Sequence, residues 1–478
     1  MLDDSDTSQS CHHDPMAWVR TELESVDIGD KRLNKRLFRV IEKFWQQPQA
    51  SIPKSMGTWT DTKAAYRLLK NPKVTPAKIL EPHQNTVRSR IKEECVILAV
   101  QDTTDLNFTE HPATQGLGTI GSSPKLKGMH VHTTMAFTVE RVPLGLIQQH
   151  TWIRPEEDFG KKTERRKKAF EEKESVKWLL SLQAVERLQQ ELPDVELIGV
   201  GDREADIYDL FKQASSMKTR LLVRASWDRR VECEEDYLWA HVEAAPVAKV
   251  FDMLVPVKKS KKVRIASKKV RTATLELRFA PVAICAPRDR RATEEPIPLY
   301  AVYVNEPNPP EGVTALSWML LTTIPVSSVD EATTMVAYYT VRWGIEVFHR
   351  ILKSGCRIEE RQLQTAEGLR KCLALDSLVA WRIYFLTMIG REVPDLPCDI
   401  AFEDYEWKSL YCFVHRTRKP PEKPPTLGEA IKLVARVGGF LARKGDGAPG
   451  PTVLWRGLQE LATISFAWFA FGPERSVH

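Results

Sequence analysis

Tyr339-Thr-Val-Arg342-Trp343-Gly-Ile-Glu346-Val-Phe-His-Arg350-Ile-Leu-Lys353 decides how the rest of this 478-residue chain is read. It holds no proline and a single glycine, so it reads as one continuous helix. With Tyr339 at zero on an ideal helix, Arg342 falls at about −60°, Glu346 at about −20°, Lys353 at about −40° and Arg350 at about +20°. One face carries an aromatic hydroxyl, a carboxylate and cations. Ile345, Phe348 and Leu352 lie on the other side and can bury. A carboxylate ringed by cations suits a metal ion held next to a phosphate chain. The same residues also suit a solvated helix in which Arg342 and Glu346 form an ordinary i,i+4 pair. The choice turns on whether the chain supplies more carboxylates.

It supplies two at matching places. Cys95–Gln101 is an apolar strand with Asp102 directly at its C-terminal end, and Val195–Gly201 is another, ending in Asp202. Between them lie strand candidates His130–Val139 and Leu144–Trp152 and a helix over Glu171–Glu191. Arg203-Glu204-Ala-Asp206 opens a helix through Phe211, and Thr219–Ala225 is one more strand. Residues 227–315 interrupt the pattern. Alternation at Val263–Ile265 and Thr272–Phe279 suggests a small antiparallel β insert with a basic rim. Leu316–Thr323 then restores a buried strand before the Glu331–Lys353 helix. This is mixed α/β with acids at strand ends, where open sheets place their sites. A lone Asp after a strand is a turn or helix cap. Two of them, followed by Glu346, form an oxygen-only ligand set suited to Mg²⁺ or Mn²⁺, and no His or Cys stands at zinc spacing. Two such ions about 4 Å apart can clamp the attacking and leaving oxygens of a phosphoryl transfer. There is no Walker-type loop.

Both ends of the chain read as helical. Residues 1–15 form a polar tail in which Cys11-His12-His13 has no matched metal partner. Asp27–Trp45 is amphipathic, with Leu33, Leu37, Val40, Ile41 and Phe44 as its apolar stripe and Lys31, Arg32, Lys35, Arg36 and Arg39 on its basic side. A second short helix from Thr60 ends at Asn71-Pro72. Such a pair suits a DNA-reading domain or a helical cap on its neighbour. After Arg361 the chain is helical, with Gly368–Ile389 apolar enough to be buried and Lys419–Pro425 as a connector to the last helices. The expected domains are 1–75, 76–372 and 373–478. Net charge is only +6, so basic clusters at Lys161–Lys168 and Lys258–Arg271 say more about an anionic partner than the total does. The eight cysteines form no CxxC pair and read as reduced and buried in a cytosolic protein. No signal peptide and no bilayer-spanning run are expected.

At these residues the chain resembles the DDE transposases of the bacterial insertion-sequence-four group, most strongly its transposon-five branch. Tyr339-x2-Arg342-x3-Glu346-x6-Lys353 looks like that group's Y-R-E-K signature. Asp102-Thr-Thr104, Lys177-Trp178, Asp202-Arg-Glu-Ala-Asp206, Val223-Arg224, Trp318 and Val434–Phe440 are similar too, over residues 17–461. The resemblance implies an RNase H-like catalytic core with a β-rich insert, flanked by helical N-terminal and C-terminal domains. It implies that Asp102, Asp202 and Glu346 bind two Mg²⁺ ions, with Mn²⁺ able to substitute. It also implies cut-and-paste transposition: hydrolysis frees a 3′ end, its hydroxyl attacks the opposite strand, a hairpin forms and opens, and the end joins target DNA. Trp318 would stack a flipped base. Arg224, Tyr339, Arg342, Trp343, Arg350 and Lys353 would hold the backbone. Arg36 and Arg67 would serve in end recognition, and the last helices would pair two copies on double-stranded DNA, with cleavage in trans, in the bacterial cytoplasm at the nucleoid. Two departures stand out: the signature helix has Arg350 where the family has lysine, and Gly344 where the transposon-five branch has arginine. The alternatives are a catalytically silent DNA-binding regulator and an RNase H-like structure-specific nuclease.

Overall fold

The computed structural model describes residues 17–161, 172–232, 237–256 and 270–471. The Cys11–His13 tail, most of the Lys161–Lys168 cluster, and residues Lys258–Lys269 with the expected strand Val263–Ile265 lie outside them. The helices are α1 (Ala17–Leu23), α2 (Lys31–Gln46), α3 (Ile52–Met56), α4 (Trp59–Lys70), α5 (Pro76–Ile91), α6 (Val176–Glu191) and α7 (Tyr208–Ser215). They continue as α8 (Leu238–Ala244), α9 (Val329–Val341), α10 (Trp343–Arg350), α11 (Ala366–Glu392), α12 (Asp404–His415), α13 (Leu427–Val437) and α14 (Pro451–Phe471). The strands are β1 (Val96–Asn107), β2 (Gly118–Thr119), β3 (Lys127–Phe137), β4 (Pro143–Trp152) and β5 (Glu196–Gly201). After them come β6 (Arg220–Arg224), β7 (Lys249–Pro256), β8 (Val270–Ile284), β9 (Ile297–Asn305) and β10 (Ser317–Thr322). The chain divides into two compact units, one of residues 87–107 and 118–347, the other of 1–86, 108–117 and 348–478.

The first unit is built on one ten-stranded sheet. β2 and β4 both pair with β3, and the order then runs β3-β1-β5-β6-β10-β9-β8-β7. β1, β5 and β6 are parallel neighbours, whereas β3 and β4 are antiparallel additions. This is the RNase H-like core. The insert is not a separate sheet, because β9 pairs with β10 in register from Ser317↔Asn305 to Thr322↔Tyr300 and so extends the central one. Sheet residues alternate between faces. Ile97 and Ala99 of β1 and Leu197 of β5 bury against Val185 and Leu188 of α6. Leu98, Val100 and Asp102 therefore look to the opposite face. A second cluster packs α7 and α8 against β6, β8, β9 and β10 through Phe211, Leu238, Leu299 and Leu321. α9 starts at a capping box in which Ser328 and Glu331 satisfy each other's backbone N–H groups.

The second unit is helical around α11. The α2 stripe Leu33, Leu37, Val40, Ile41 and Phe44 is buried as its period requires. α11 is buried on nearly every side, which explains its apolar sequence. By length and composition it could cross a membrane, contrary to the sequence expectation, yet 89% of its most apolar window is buried inside the fold. Arg361 is enclosed here. It forks onto Asp376 of α11 at 2.8 and 3.0 Å, donates to the carbonyls of Pro48 and Ala50, and lies 4.3 Å from the Phe44 ring. One guanidinium thus ties α11 to the turn between α2 and α3. α13 and α14 cross at Gly438 and Gly457, where a Cβ on either would strike the other helix's backbone. Of the described cysteines, Cys95 is exposed and Cys285 half-buried, and the other four are buried.

Candidate active site

Two strands and one helical turn bring the expected acids into one neighbourhood. Asp102 does not end β1. Parallel pairing with β5 stops at Val100↔Val200, while β1 runs on to Asn107 paired with β3 alone, Asp102 standing opposite Thr133. The β-branched Thr103 and Thr104 favour that extension. Thr103 points the other way, to His132, whose ring meets Trp178 of α6 edge-on. Asp202 follows β5 and caps the short 3-10 helix Arg203–Ala205, accepting from the Glu204 N–H at 2.8 Å. The preceding residue must be glycine, since a Cβ on Gly201 would come within 2.5 Å of the Ala205 Cβ. The cap role and a catalytic role are thus compatible in Asp202.

The expected helix from Tyr339 to Lys353 is broken at Arg342. There the bonds Arg342 N–H to Tyr339 O (3.1 Å) and Ile345 N–H to Arg342 O (3.2 Å) tighten the chain to an i−3 pattern. Trp343 and buried Gly344 open α10 directly after it, and Ile351–Gly355 closes with a π turn. Glu346 keeps its partner: Arg342 Nη2 donates to its Oε1 at 2.6 Å.

The electrostatics are those of crowded acids around one cation. Burial lifts the Asp102 carboxyl to about 7, the charges of Asp202 and Glu346 add to the rise, and the Thr103 N–H and Arg342 oppose it. Burial raises Asp202 as well, with Arg342 and Lys177 among the groups that oppose the rise. Arg342 is held above its ordinary value by Tyr339, Glu346 and Asp102 against its own desolvation. Among the described residues, no three His, Cys, Asp or Glu side chains stand at ready ligand spacing. Glu346 is drawn to Arg342. An all-oxygen set carrying a carboxyl this costly to ionise is nonetheless matched to a hard divalent cation.

Around the acids, Arg224 ends β6, donates to Ser317 O at 2.6 Å and lies near enough to Tyr339 for its charge to act on that side chain. Trp318 meets Tyr339 edge-on, ring centroids 5.4 Å apart. Trp343 is exposed. Arg350 and Lys353 belong to the helical unit, where Lys353 lies 3.9 Å from Glu359. Arg36 and Arg67 are there too, on α2 and α4, Arg67 exposed. Lys177 and Arg203 received no role from the sequence. Lys177 acts on Asp202 through its charge, and Arg203 acts on Arg224. Their signal was present in Lys177-Trp178 and Asp202-Arg203, but a lone cation beside an aromatic or an acid does not stand out.

Three family models match the chain: transposase DNA-binding over residues 15–74, transposase DDE domain over 163–379, and transposase Tn5 dimerisation domain over 378–470. Among solved structures, the piggyBac transposase synaptic complex with hairpin DNA is similar at 10% identity. The match covers 96% of this chain and 79% of that one at a TM-score of 0.34, a level too low to bear on function. The three matches succeed one another in the order binding, catalysis, dimerisation, and with them come DNA binding, homodimer formation and metal-dependent polynucleotidyl transfer. The chain belongs to the Tn5-like DDE transposases.

Proposed function

We propose that the protein is a cut-and-paste transposase whose metal-binding acids are Asp102, Asp202 and Glu346, and that it cuts through a DNA hairpin. DDE transposase domains use divalent metal ions. Two Mg²⁺ ions, with Mn²⁺ able to substitute, are the reading for this chain, and when bound they stabilise the charge on the attacking and leaving oxygens of in-line displacement. The observation that carries the proposal is that Asp102 on the β1 extension, Asp202 after β5 and Glu346 on α10 come near enough for their charges to act on one another, with Arg342 paired to Glu346 at 2.6 Å. A silent DNA-binding protein has no physical need of so costly an arrangement.

The chain's own side chains supply the rest. Arg342 screens the acids and, once Glu346 turns away, offers its guanidinium to a phosphate beside the cut. Arg224 and Tyr339, neighbours at the end of β6 and on α9, together support the backbone of a bent strand. Trp318, braced by Tyr339, provides the aromatic face that a base needs on leaving the stack. Arg350, Lys353 and Trp343 extend the backbone contacts, while Arg36 and Arg67 bind the transposon end. Residues 1–75 are read as the end-binding domain, 76–372 as catalytic and 373–478 as dimerising.

The test incubates the protein with Mg²⁺, its end DNA and a supercoiled target. Hairpins together with joined products support the proposal. Nicks alone indicate a nuclease, and a mobility shift without cleavage indicates a regulator.

A further inference from the structure

A pocket of about 410 Å³ opens at Arg203, the residue after Asp202, bounded by Trp178, Ile207 and Trp227, by the cations Lys177 and Arg203, and by the carboxylates Glu204 and Asp206, which Lys177 and Arg229 pair. Trp227 is 65% exposed. Its indole offers an apolar face with a polar edge to whatever enters the pocket. The loop that carries it is fixed. The buried Asp206 carboxylate accepts from the N–H groups of Ser226 (2.7 Å) and Trp227 (3.0 Å), and from Arg229 Nε (2.9 Å) and Nη2 (2.7 Å). The indole is therefore presented on a preorganised turn, and little ordering cost remains for binding. Behind it, Trp178 and Ile207 give apolar wall, Trp178 being fully buried. The cations are arranged around that wall. Lys177 pairs with Glu204 at 3.1 Å and lies 5.3 Å from the Trp152 ring. Arg203 lies within reach of the Arg224 charge, which links the pocket to the catalytic group.

An aromatic lip, an apolar wall and flanking cations are what an unpaired base with its phosphates requires. We propose that this pocket binds a nucleobase unstacked from DNA, with Trp227 as its stacking partner and Lys177 and Arg203 against the adjoining phosphates. It is separate from the Trp318 face on β10 and rests on the reading that the site acts on DNA. The base comes from the transposon end or from the target strand.

The experiment measures binding of the full chain, in EDTA so that nothing is cut, to three fluorescein-labelled duplexes. One is the paired transposon end, one the same end with an unpaired terminal base, and one an unrelated duplex with a single unpaired internal base. Trp227→Ala is expected to weaken an unpaired-base duplex by roughly 5- to 100-fold, as loss of one stacked base predicts. Binding of the paired end should stay within about twofold. Trp227→Phe should retain most of the affinity, and the melting temperature should not move, since the side chain is exposed. Loss on the second duplex alone assigns the base to the transposon end, loss on the third alone to the target, and loss on both to any unstacked base. Equal affinity of Trp227→Ala and the natural protein for both overturns the proposal. If the natural protein binds none of the three, the DNA reading itself falls, and the inference with it.

Discussion

Arg342 Nη2 donates to Glu346 Oε1 at 2.6 Å, across the break that separates α9 from α10. As a local ion pair this contact is worth little, on the order of 0.5 kcal/mol. Its consequence is that one cation serves acids from β1, β5 and α10 together. Arg342→Ala should therefore cost more in activity than in stability. Single-turnover cleavage is expected to fall at least about tenfold while stability changes by less than about 1 kcal/mol. Arg342→Lys should recover part of the rate, since it keeps the charge but not the fork. Melting and cleavage measured on the same preparations separate the two effects.

Trp318 and Tyr339 give a more selective prediction. Trp318→Ala should leave the first nick near its natural rate and reduce hairpin formation by about tenfold or more, the value of one stacked base. Trp318→Phe should fall between the two. A time course resolved on a denaturing gel reads both steps, and equal loss of nick and hairpin would assign Trp318 to packing.

His349 sets a pH dependence. Burial, with the charge of Lys353 adding, holds its imidazole at about 3 against an ordinary 6.5. The pKa is lowered on folding, so the native state gains stability from this group above 6.5 and loses it as pH falls toward 3. At pH 5 the loss is about 2 kcal/mol. His349→Phe, which removes the titration, should narrow the stability difference between pH 7.5 and pH 5 by about that amount. Urea unfolding at the two pH values checks it.

Arg361 makes the opposite case, a charge required by the fold. Its side chain is 2% exposed, and that of Asp376 is fully buried. Arg361→Ala should destabilise by about 3–5 kcal/mol, because it strands a buried carboxylate and two carbonyls. Pairing Arg361→Met with Asp376→Leu should recover a large share of the loss. Denaturant midpoints of the single and double variants decide the point.

The sequence was most legible where one physical pattern acts alone. The α2 stripe, the apolar runs of β1 and β5 and the acid after β5 lie where their periodicity and burial place them. It was less legible where neighbours decide. β1 outruns its parallel partner because β3 is there to pair with Thr103 and Thr104. The insert joins the central sheet because β9 meets β10, a contact between distant segments. The helix breaks at Arg342, which ideal angles cannot anticipate. Lys177 and Arg203 count only because folding sets them near Asp202 and Arg224.

The central claim is that Asp102, Asp202 and Glu346 do the chemistry together, and Asp102→Ala tests it most directly. Paired end complexes assembled with this variant and given Mg²⁺ should retain bound DNA and yield neither nick, hairpin nor joined product. Hairpin formation by Asp102→Ala at the natural rate would contradict the account.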